Sequence, residues 1–408
     1  MSNTHRRTTL LASCLIFLAF GFISAAFGPL LPELAARTGV GLAVVGSVFT
    51  ASFLGGLCSS LAGGPLSDRI GQRRVLLGAV TLYALGVAGI AVSQSLPALL
   101  AATLLSGFGT GAIDVCTNVL IARTFAERNV SAHSLLNVFF GVGAVLGPAA
   151  AGLSLALSST AYPTLWIGFA LLLFCLPAIY LSGRGTSAGA PAAAAGAPTS
   201  RRETTLRVYR SPLLWTFGAL LLVYVGAETA IGGWTTTYLG RTTGLAIESA
   251  ALVASGYWLA LTAGRMISAA LGTRLSSHAV LVICLGTTLV AGALLPLSTG
   301  NAPLTVCAIL LLGLGYGAIF PTVFAVITSV FAAGPGTAGS IGTAMGSIGG
   351  MSLPPLMGVL LVSVGPRASM AFIAGTSALM IALYAAARVQ ETRQVALSAL
   401  DAGAWRAG

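Results

Sequence analysis

The sequence has no lysine and very little negative charge. Only 7% of its 408 residues are charged, and nine acids stand against twenty arginines, which gives a formal net charge of +11. A soluble globular protein has about 25% charged residues, so a chain with so few could not keep this much apolar surface in water. The shortage of charge excludes an ordinary soluble domain.

Histidine and cysteine are also scarce, and neither forms a cluster. The three histidines and six cysteines are scattered, and the cysteines lie singly inside apolar segments without a metal-ligand spacing. The chain has no Walker loop, no dinucleotide fingerprint and no nucleophile constellation. We therefore expect no metal, no cofactor and no enzymatic activity.

Apolar sequence dominates the chain, with 56% hydrophobic residues and a mean hydropathy of +0.95. Segments of about 20 apolar residues are long enough to cross a bilayer as a helix. They cover residues 9–34, 42–66, 75–93, 97–122, 134–158, 163–182, 212–239, 249–271, 279–298, 303–331, 340–364 and 369–387. The sequence therefore predicts an all-α integral membrane protein with twelve transmembrane helices.

The arginines indicate the orientation of these helices. Placing both termini in the cytoplasm puts sixteen of the twenty arginines on that side, as the excess of positive charge in cytoplasmic loops requires. Arg37, Arg241 and Arg367 fall outside, and Arg265 lies near the cytoplasmic face. Because the arginines are spread over the loops, they favour lipid contact and exclude a nucleic-acid partner. We expect a monomeric multi-pass protein of the cell inner (plasma) membrane.

The chain divides in its middle. Residues 183–211 combine small residues, prolines and a basic run, a composition typical of a flexible cytoplasmic linker that can lie on anionic lipid. Residues 1–182 and 212–408 each contain six of the predicted spans. We therefore expect two six-helix halves on either side of this linker.

The two halves have related sequences. Residues 104–125 align without gaps to 310–331 at an offset of 206, with nine of twenty-two positions identical. The same offset pairs Gly143 with Gly349 in the next span. This repeat predicts two pseudo-symmetric halves in the same orientation, an arrangement that places the substrate at their interface near the membrane midplane.

The loop between the second and third spans reads "GGPLSDRIGQRRVLL" at residues 63–77. It resembles the signature of the major facilitator superfamily. The matching residues are Gly64, Leu66, Asp68, Arg69, Gly71, Arg73 and Arg74. The resemblance extends over the whole chain through the six-plus-six topology, and it implies the major facilitator fold and secondary transport by alternating access.

The same motif suggests a conformational latch. Gly71 permits a tight turn, and Asp68 could bond neighbouring arginines or the positive N-terminus of the eleventh span near Ser340. The proposed latch comprises Gly64, Asp68, Arg69, Gly71 and Arg73. The alternative is a solvated charge cluster that only enforces topology.

Several spans are similar to the fucose/glucose–proton symporter branch of the superfamily. The segments concerned read "GAIDVCTN" (111–118), "LLNVFFGVGAVLGP" (135–148), "YVGAETAIGGW" (224–234), "GYWLALTAGR" (256–265) and "GLGYGAIFPT" (313–322). The resemblance implies proton-coupled symport of a sugar-like solute. It also assigns Ser134 and Asn137 to the positions of a polar pair in span five. The sugar-transporting members tend to have an acid in span one, whereas here Glu33 lies at the outer end of that span.

Asp114 is an acid inside an apolar span, where a charge costs roughly 2.5–3.5 kcal/mol. Asn118 lies one helical turn later on the same face and can donate to its carboxylate. The equivalent positions of the second half are Phe320 and Phe324, so folding does not require a polar pair there. A carboxyl group that alternates between low dielectric and water can bind and release a proton, which makes Asp114 the leading proton carrier. The alternative is a buried protonated acid that bonds another helix.

Glu228 is the second acid inside a span, and we assign it to proton coupling as well. It precedes Gly232 and Gly233, which suggest a bent or unwound helix beside a polar cavity. Trp234 and Tyr238 could stack on a solute, close an outer gate or lie in the interfacial aromatic belt. The predicted substrate cavity comprises Asn118, Ser134, Asn137, Trp234, Thr235, Tyr238, Phe320 and Phe324.

Three functions remain open at this point. The favoured one is proton-coupled symport of a small polar, sugar-like molecule. The second is a proton antiporter that exports drug-like or amphipathic molecules, because "GVGAVLGPAAAG" (141–152) resembles the antiporter motif of drug exporters. The third is a non-transporting sensor that has kept the fold for ligand detection.

Overall fold

The structure, a computed structural model, describes residues 3–125, 129–182, 206, 208–332 and 334–407. Its helices are α1 (Asn3–Thr38), α2 (Leu42–Val45), α3 (Ser47–Ile70), α4 (Gln72–Val92), α5 (Leu96–Thr124), α6 (Asn129–Ser158), α7 (Tyr162–Ser182), α8 (Pro212–Thr242), α9 (Ile247–Leu271), α10 (Ser277–Leu297), α11 (Ala302–Tyr316), α12 (Ile319–Val330), α13 (Pro335–Ser363) and α14 (Pro366–Ala407). They provide twelve helical segments long and apolar enough to cross a membrane. The predicted all-α membrane fold is confirmed. Most of the predicted linker, residues 183–205, lies outside the described residues.

Two spans consist of a pair of helices. The second span comprises α2 and α3, which meet at Gly46, and the tenth comprises α11 and α12, which are separated by Gly317 and Ala318. Pro321 accounts for the second interruption, because proline has no N–H and its ring clashes with the carbonyl group four residues earlier.

The even number of spans places both ends of the helical bundle on one side of the membrane. We call this the terminal side; it includes the start of α1, the end of α14 and the turn at Gly71. The opposite side, with the ends of α1 and α8 at Thr38 and Thr242, is called the far side. Gly71 has φ +90°, a conformation that glycine adopts without steric cost, so the predicted tight turn is confirmed.

Equivalent glycines produce equivalent helix crossings in the two halves. A Cβ atom at Gly143 of α6 would collide with the carbonyl group of Leu18 in α1. At the repeat-related Gly349 of α13, it would collide with the carbonyl group of Leu222 in α8. Small residues let membrane helices approach this closely, so the sequence repeat corresponds to a repeat in packing.

Candidate functional site

The two halves contact each other in the far-side part of the bundle. The Thr50 hydroxyl of α3 donates to the Met351 carbonyl of α13 at 2.7 Å. On the other flank, the Ser255 hydroxyl of α9 donates to the Val145 carbonyl of α6 at 2.8 Å. Both seams between the halves are therefore closed on the far side.

The same helix faces separate toward the terminal side. Ser134 precedes Val145 by eleven residues, and Ser340 precedes Met351 by eleven, a spacing that keeps each pair on one helical face. Both serines are exposed, although the far-side members of these faces touch the opposite half. The hydrogen bonds between the halves on these two faces therefore lie toward the far side, and the terminal-side positions of the same faces are exposed.

Trp234 lies within the far-side closure. Its indole N–H donates to the Pro354 carbonyl at 2.8 Å, and a Cβ atom at Gly46 would lie 3.0 Å from its ring. Tyr238 is also buried, and its hydroxyl donates to Thr299 at 3.2 Å. In this conformation the two aromatic side chains pack between helices, and their assignment to the substrate cavity stays a prediction.

Helix α8 continues without interruption past the paired glycines, so the expectation of an unwound segment is wrong. Gly232 and Gly233 instead make room for neighbours, because a Cβ atom at Gly233 would collide with the Phe49 ring of α3. The buried Thr235 hydroxyl bonds the Ile231 carbonyl at 2.7 Å within the same helix. The paired glycines therefore allow close packing.

The structure brings Asp114 and Asn118 together as predicted. Asn118 Nδ2 donates to Asp114 Oδ1 at 2.9 Å. Both residues are half-buried, whereas Ile113 and Cys116 on another face of α5 are fully buried. The carboxyl group is therefore held by a neighbour one turn away while its face of the helix keeps some exposure.

Glu228 lies in a second polar cluster, in the C-terminal half. Its Oε1 atom is 3.6 Å from a terminal nitrogen of Arg265 in α9. The Tyr257 hydroxyl donates to the Glu228 backbone carbonyl at 3.1 Å, and Tyr224 lies beside the carboxylate. An acid and a base from adjacent spans thus form an ion pair inside the bundle.

Aromatic rings continue this cluster into the tenth span. Phe320 and Phe324 are stacked, with centroids 5.8 Å apart and an interplanar angle of 14°. The ring centroid of Tyr224 lies 6.3 Å from that of Phe320 and 5.6 Å from that of Tyr316. Tyr224 therefore links Glu228 to Phe320, on which Phe324 stacks. The cluster also includes Arg265, which the sequence analysis assigned only to the cytoplasmic face. The signal that could have found Arg265 is a charge inside a predicted span.

Ser134 and Asn137 lie on exposed parts of α6. The Asn137 amide donates to the His133 carbonyl at 3.0 Å, which is a bond within its own helix. This bond does not connect α6 with the opposite half. The assignment of both residues to the substrate cavity stays a prediction.

The latch motif is only partly described. Arg73 donates to the Tyr180 carbonyl at 2.5 Å, and its guanidinium lies 4.5 Å from the Tyr180 ring centroid, so it joins α4 to α7 within one half. Arg69 is exposed. The surroundings of Gly64 and the side chain of Asp68 lie outside the described part of the chain, so the latch stays a prediction.

Twelve spans in two equivalent halves, which bond each other toward the far side and have charged side chains inside the spans, define a two-lobed membrane carrier. Residues 11–350 and 224–405 match the Major Facilitator Superfamily. The chain belongs to this superfamily and is a multi-pass membrane protein of a secondary-transporter family.

Curated relatives differ in the solutes that their names state. The chain is 34% identical over 152 residues to the 4-hydroxybenzoate transporter PcaK of Pseudomonas aeruginosa, a match that covers 37% of this chain and 33% of the relative. It is 32% identical over 192 residues to the 3-(3-hydroxy-phenyl)propionate transporter of Escherichia coli, covering 44% and 45%. Multidrug resistance protein D of Escherichia coli is 31% identical over 175 residues, covering 42% of each chain. The matches span less than half of each relative's length.

Solved structures match almost the whole fold. A point mutant of the nucleoside transporter NupG superposes with a TM-score of 0.77 at 14% identity, covering 93% of this chain and 99% of that one. A point mutant of the Escherichia coli fucose:proton symporter FucP gives 0.65 at 19% identity, covering 93% and 98%. At these identities the likeness establishes the fold alone.

Proposed function

We propose that the protein is a proton-coupled symporter that imports a small polar solute by alternating access. The observation behind this proposal is the Asp114–Asn118 pair, which lies in a membrane-spanning helix where the repeat-related positions are Phe320 and Phe324. An acid in a span is costly, and the twin helix dispenses with it, so a requirement of folding does not explain its presence.

In the proposed cycle, Asp114 exchanges its proton with the side to which the halves are open. The higher proton concentration outside loads the carboxyl group when the halves open outward, the closed state favours the protonated form, and the lower concentration in the cytoplasm lets the proton leave when they open inward. Asn118 can bond either form, because its amide offers both a donor and an acceptor. Residues 1–182 and 212–408 would rock against each other around the solute, in a monomer of the bacterial inner membrane whose termini are cytoplasmic.

Two solute classes are candidates. A sugar-like solute follows from the resemblance to the fucose symporter branch, and the fold of FucP is shared. An aromatic acid follows from the names of two relatives. Both are small polar molecules that need an energy source for accumulation.

Transport into proteoliposomes tests the proposal. We expect an imposed inward proton gradient to drive accumulation of labelled L-fucose or 4-hydroxybenzoate. Asp114→Asn should abolish accumulation and spare counterflow exchange, because the neutral amide cannot carry a proton but can keep the Asn118 bond. Glu248→Gln, at the far-side start of α9, is the control and should accumulate solute normally. Full accumulation by Asp114→Asn would remove Asp114 from the coupling role.

The second candidate is a proton-coupled antiporter that exports drug-like or amphipathic molecules. The stacked Phe320 and Phe324 rings favour it, since they offer an apolar surface. Export of a fluorescent dye driven by the opposite proton gradient, without accumulation of either small solute, would support this candidate over symport.

A further inference from the structure

Arg265 is incompletely paired at the point where the halves begin to separate. It follows Thr262 by one turn, and Thr262 packs against Gly141 of the opposite half. A guanidinium has five N–H donors and binds a carboxylate best through two short parallel bonds. Among the described residues, Arg265 has one ion-pair contact, in which its Nη2 atom lies 3.6 Å from Glu228 Oε1. Most of the N–H donors of Arg265 therefore have no partner among the described residues.

The ion pair is more open on its basic side. The Arg265 side chain is 24% exposed, and that of Glu228 is 14% exposed. The guanidinium therefore keeps exposed N–H donors beside the ion pair, and such donors suit an anionic group.

Two buried tyrosines complete the cluster. Tyr224 and Tyr316 are both 0% exposed. The Tyr224 hydroxyl lies beside the Glu228 carboxylate and near Arg265, whereas the Tyr316 hydroxyl lies beside Ser377 and Thr376 of α14. An oxygen of a ligand bound at Arg265 would therefore lie near the Tyr224 hydroxyl, which is a donor.

The rest of the wall is aromatic rather than polar. Phe320 lies 6.3 Å from Tyr224 and is stacked on Phe324. The break between α11 and α12 brings this wall against α9, since a Cβ atom at Gly317 would lie 2.6 Å from the Arg265 backbone nitrogen. Interrupted helices of this kind form substrate sites in membrane transporters. Such a wall suits an aromatic ring better than the many hydroxyl groups of a sugar.

We propose that this cluster binds a small aromatic carboxylate. The solute's carboxylate pairs with Arg265, the Tyr224 hydroxyl donates to one of its oxygens, and its ring packs against Phe320. The solute carboxylate and Glu228 compete for the same guanidinium. This inference names the substrate class of the proposed function and rests on it.

Binding to the purified full-length protein tests the assignment without requiring transport. Isothermal titration would compare 4-hydroxybenzoate with its neutral analogue 4-hydroxybenzamide and with L-fucose. We expect the wild-type protein to bind the carboxylate and to bind the amide much more weakly. Arg265→Gln should weaken carboxylate binding roughly 10- to 100-fold, the range for losing a charge-assisted hydrogen bond. Arg274→Gln removes the same charge from an exposed position and should leave binding unchanged.

Glu228→Gln protects the test against a folding artefact. Removing the competing carboxylate should tighten binding of 4-hydroxybenzoate, a gain that a misfolded protein could not give. Equal binding of carboxylate and amide, unchanged binding by Arg265→Gln, or weaker binding by Glu228→Gln would each overturn the inference.

The two proposals can fail separately. If a proton gradient drives accumulation of L-fucose and 4-hydroxybenzoate does not bind, symport stands and the aromatic-acid site is wrong. If 4-hydroxybenzoate binds with the expected dependence on Arg265 but no gradient drives its accumulation, the site stands and proton coupling is wrong.

Discussion

Three acids in or beside the spans have different surroundings. Both oxygens of Glu33 are used at the far side, where one accepts from the Thr160 hydroxyl and the other from the Ala161 N–H, each at 2.7 Å. Asp114 accepts from Asn118 within its own helix, and Glu228 has a long ion pair with Arg265. Glu33 therefore fixes the start of α7, while the other two acids can change partners.

Glu33→Ala should reduce stability and leave proton coupling intact. The carboxylate caps the entry to α7, and loss of a helix cap costs about 0.5–2 kcal/mol. We expect a lower midpoint of thermal unfolding in detergent together with normal gradient-driven accumulation per folded molecule. A variant that folds normally but has lost accumulation would place Glu33 in the proton pathway.

At the scale of a helix, the tenth span shows how one proline and one glycine position a site. Pro321 interrupts the span, and Gly317 then allows the broken segment to lie directly on α9, where a Cβ atom would meet the Leu261 carbonyl at 2.5 Å. In the other half, a Cβ atom at the repeat-related Gly111 would collide with the Gly56 carbonyl of α3. The close crossing is shared by both halves, with the Arg265 backbone nitrogen beside Gly317 in one half and the Ser59 hydroxyl beside Gly111 in the other.

Gly317→Ala should destabilise the protein because the added methyl group collides with α9. Overpacking of this kind costs about 1–3 kcal/mol. The control is Gly286→Ala in α10, where nothing lies within 4 Å of the added Cβ atom and alanine favours the helix by about 1 kcal/mol. Thermal unfolding of the two purified variants measures the difference, and equal midpoints would contradict the close crossing.

For the whole molecule, we propose that the structure is one end state of the alternating-access cycle. The Thr50 and Ser255 bonds join the halves on the far side, while Ser134 and Ser340 are exposed on the terminal side. Transport then requires these far-side bonds to break as the terminal-side faces approach. Each bond is worth about 1 kcal/mol net, so neither prevents the motion.

Single cysteines placed in a background without the six native ones should report this asymmetry. We expect Ser340→Cys to react with a hydrophilic maleimide added from the terminal side, because that position is exposed, and Thr50→Cys to be protected at the closed seam. Labelling rates in detergent and in sealed vesicles give the measurement, and the vesicles also show which side is cytoplasmic. Rapid labelling of Thr50→Cys with slow labelling of Ser340→Cys would mean that the other end state predominates.

Much of the fold could be predicted because its signals are patterns that can be read along the chain. Apolar length marks the spans, and the repeat at an offset of 206 residues marks the two halves. The i, i+4 spacing of Asp114 and Asn118 was enough to predict their hydrogen bond. The paired glycines of α8 misled the sequence analysis, since glycine permits both bending and close packing, and only the neighbours decide between the two.

The number of spans, the duplication and the acids in apolar helices could be read from the sequence, because each is a pattern along the chain that does not depend on how the helices pack. The meeting of Glu228 with Arg265 from another span and the burial of Trp234 at a seam between helices followed only from the packing. The physical reason is that a spanning helix can bury any of its faces, and the packing of its neighbours determines which one.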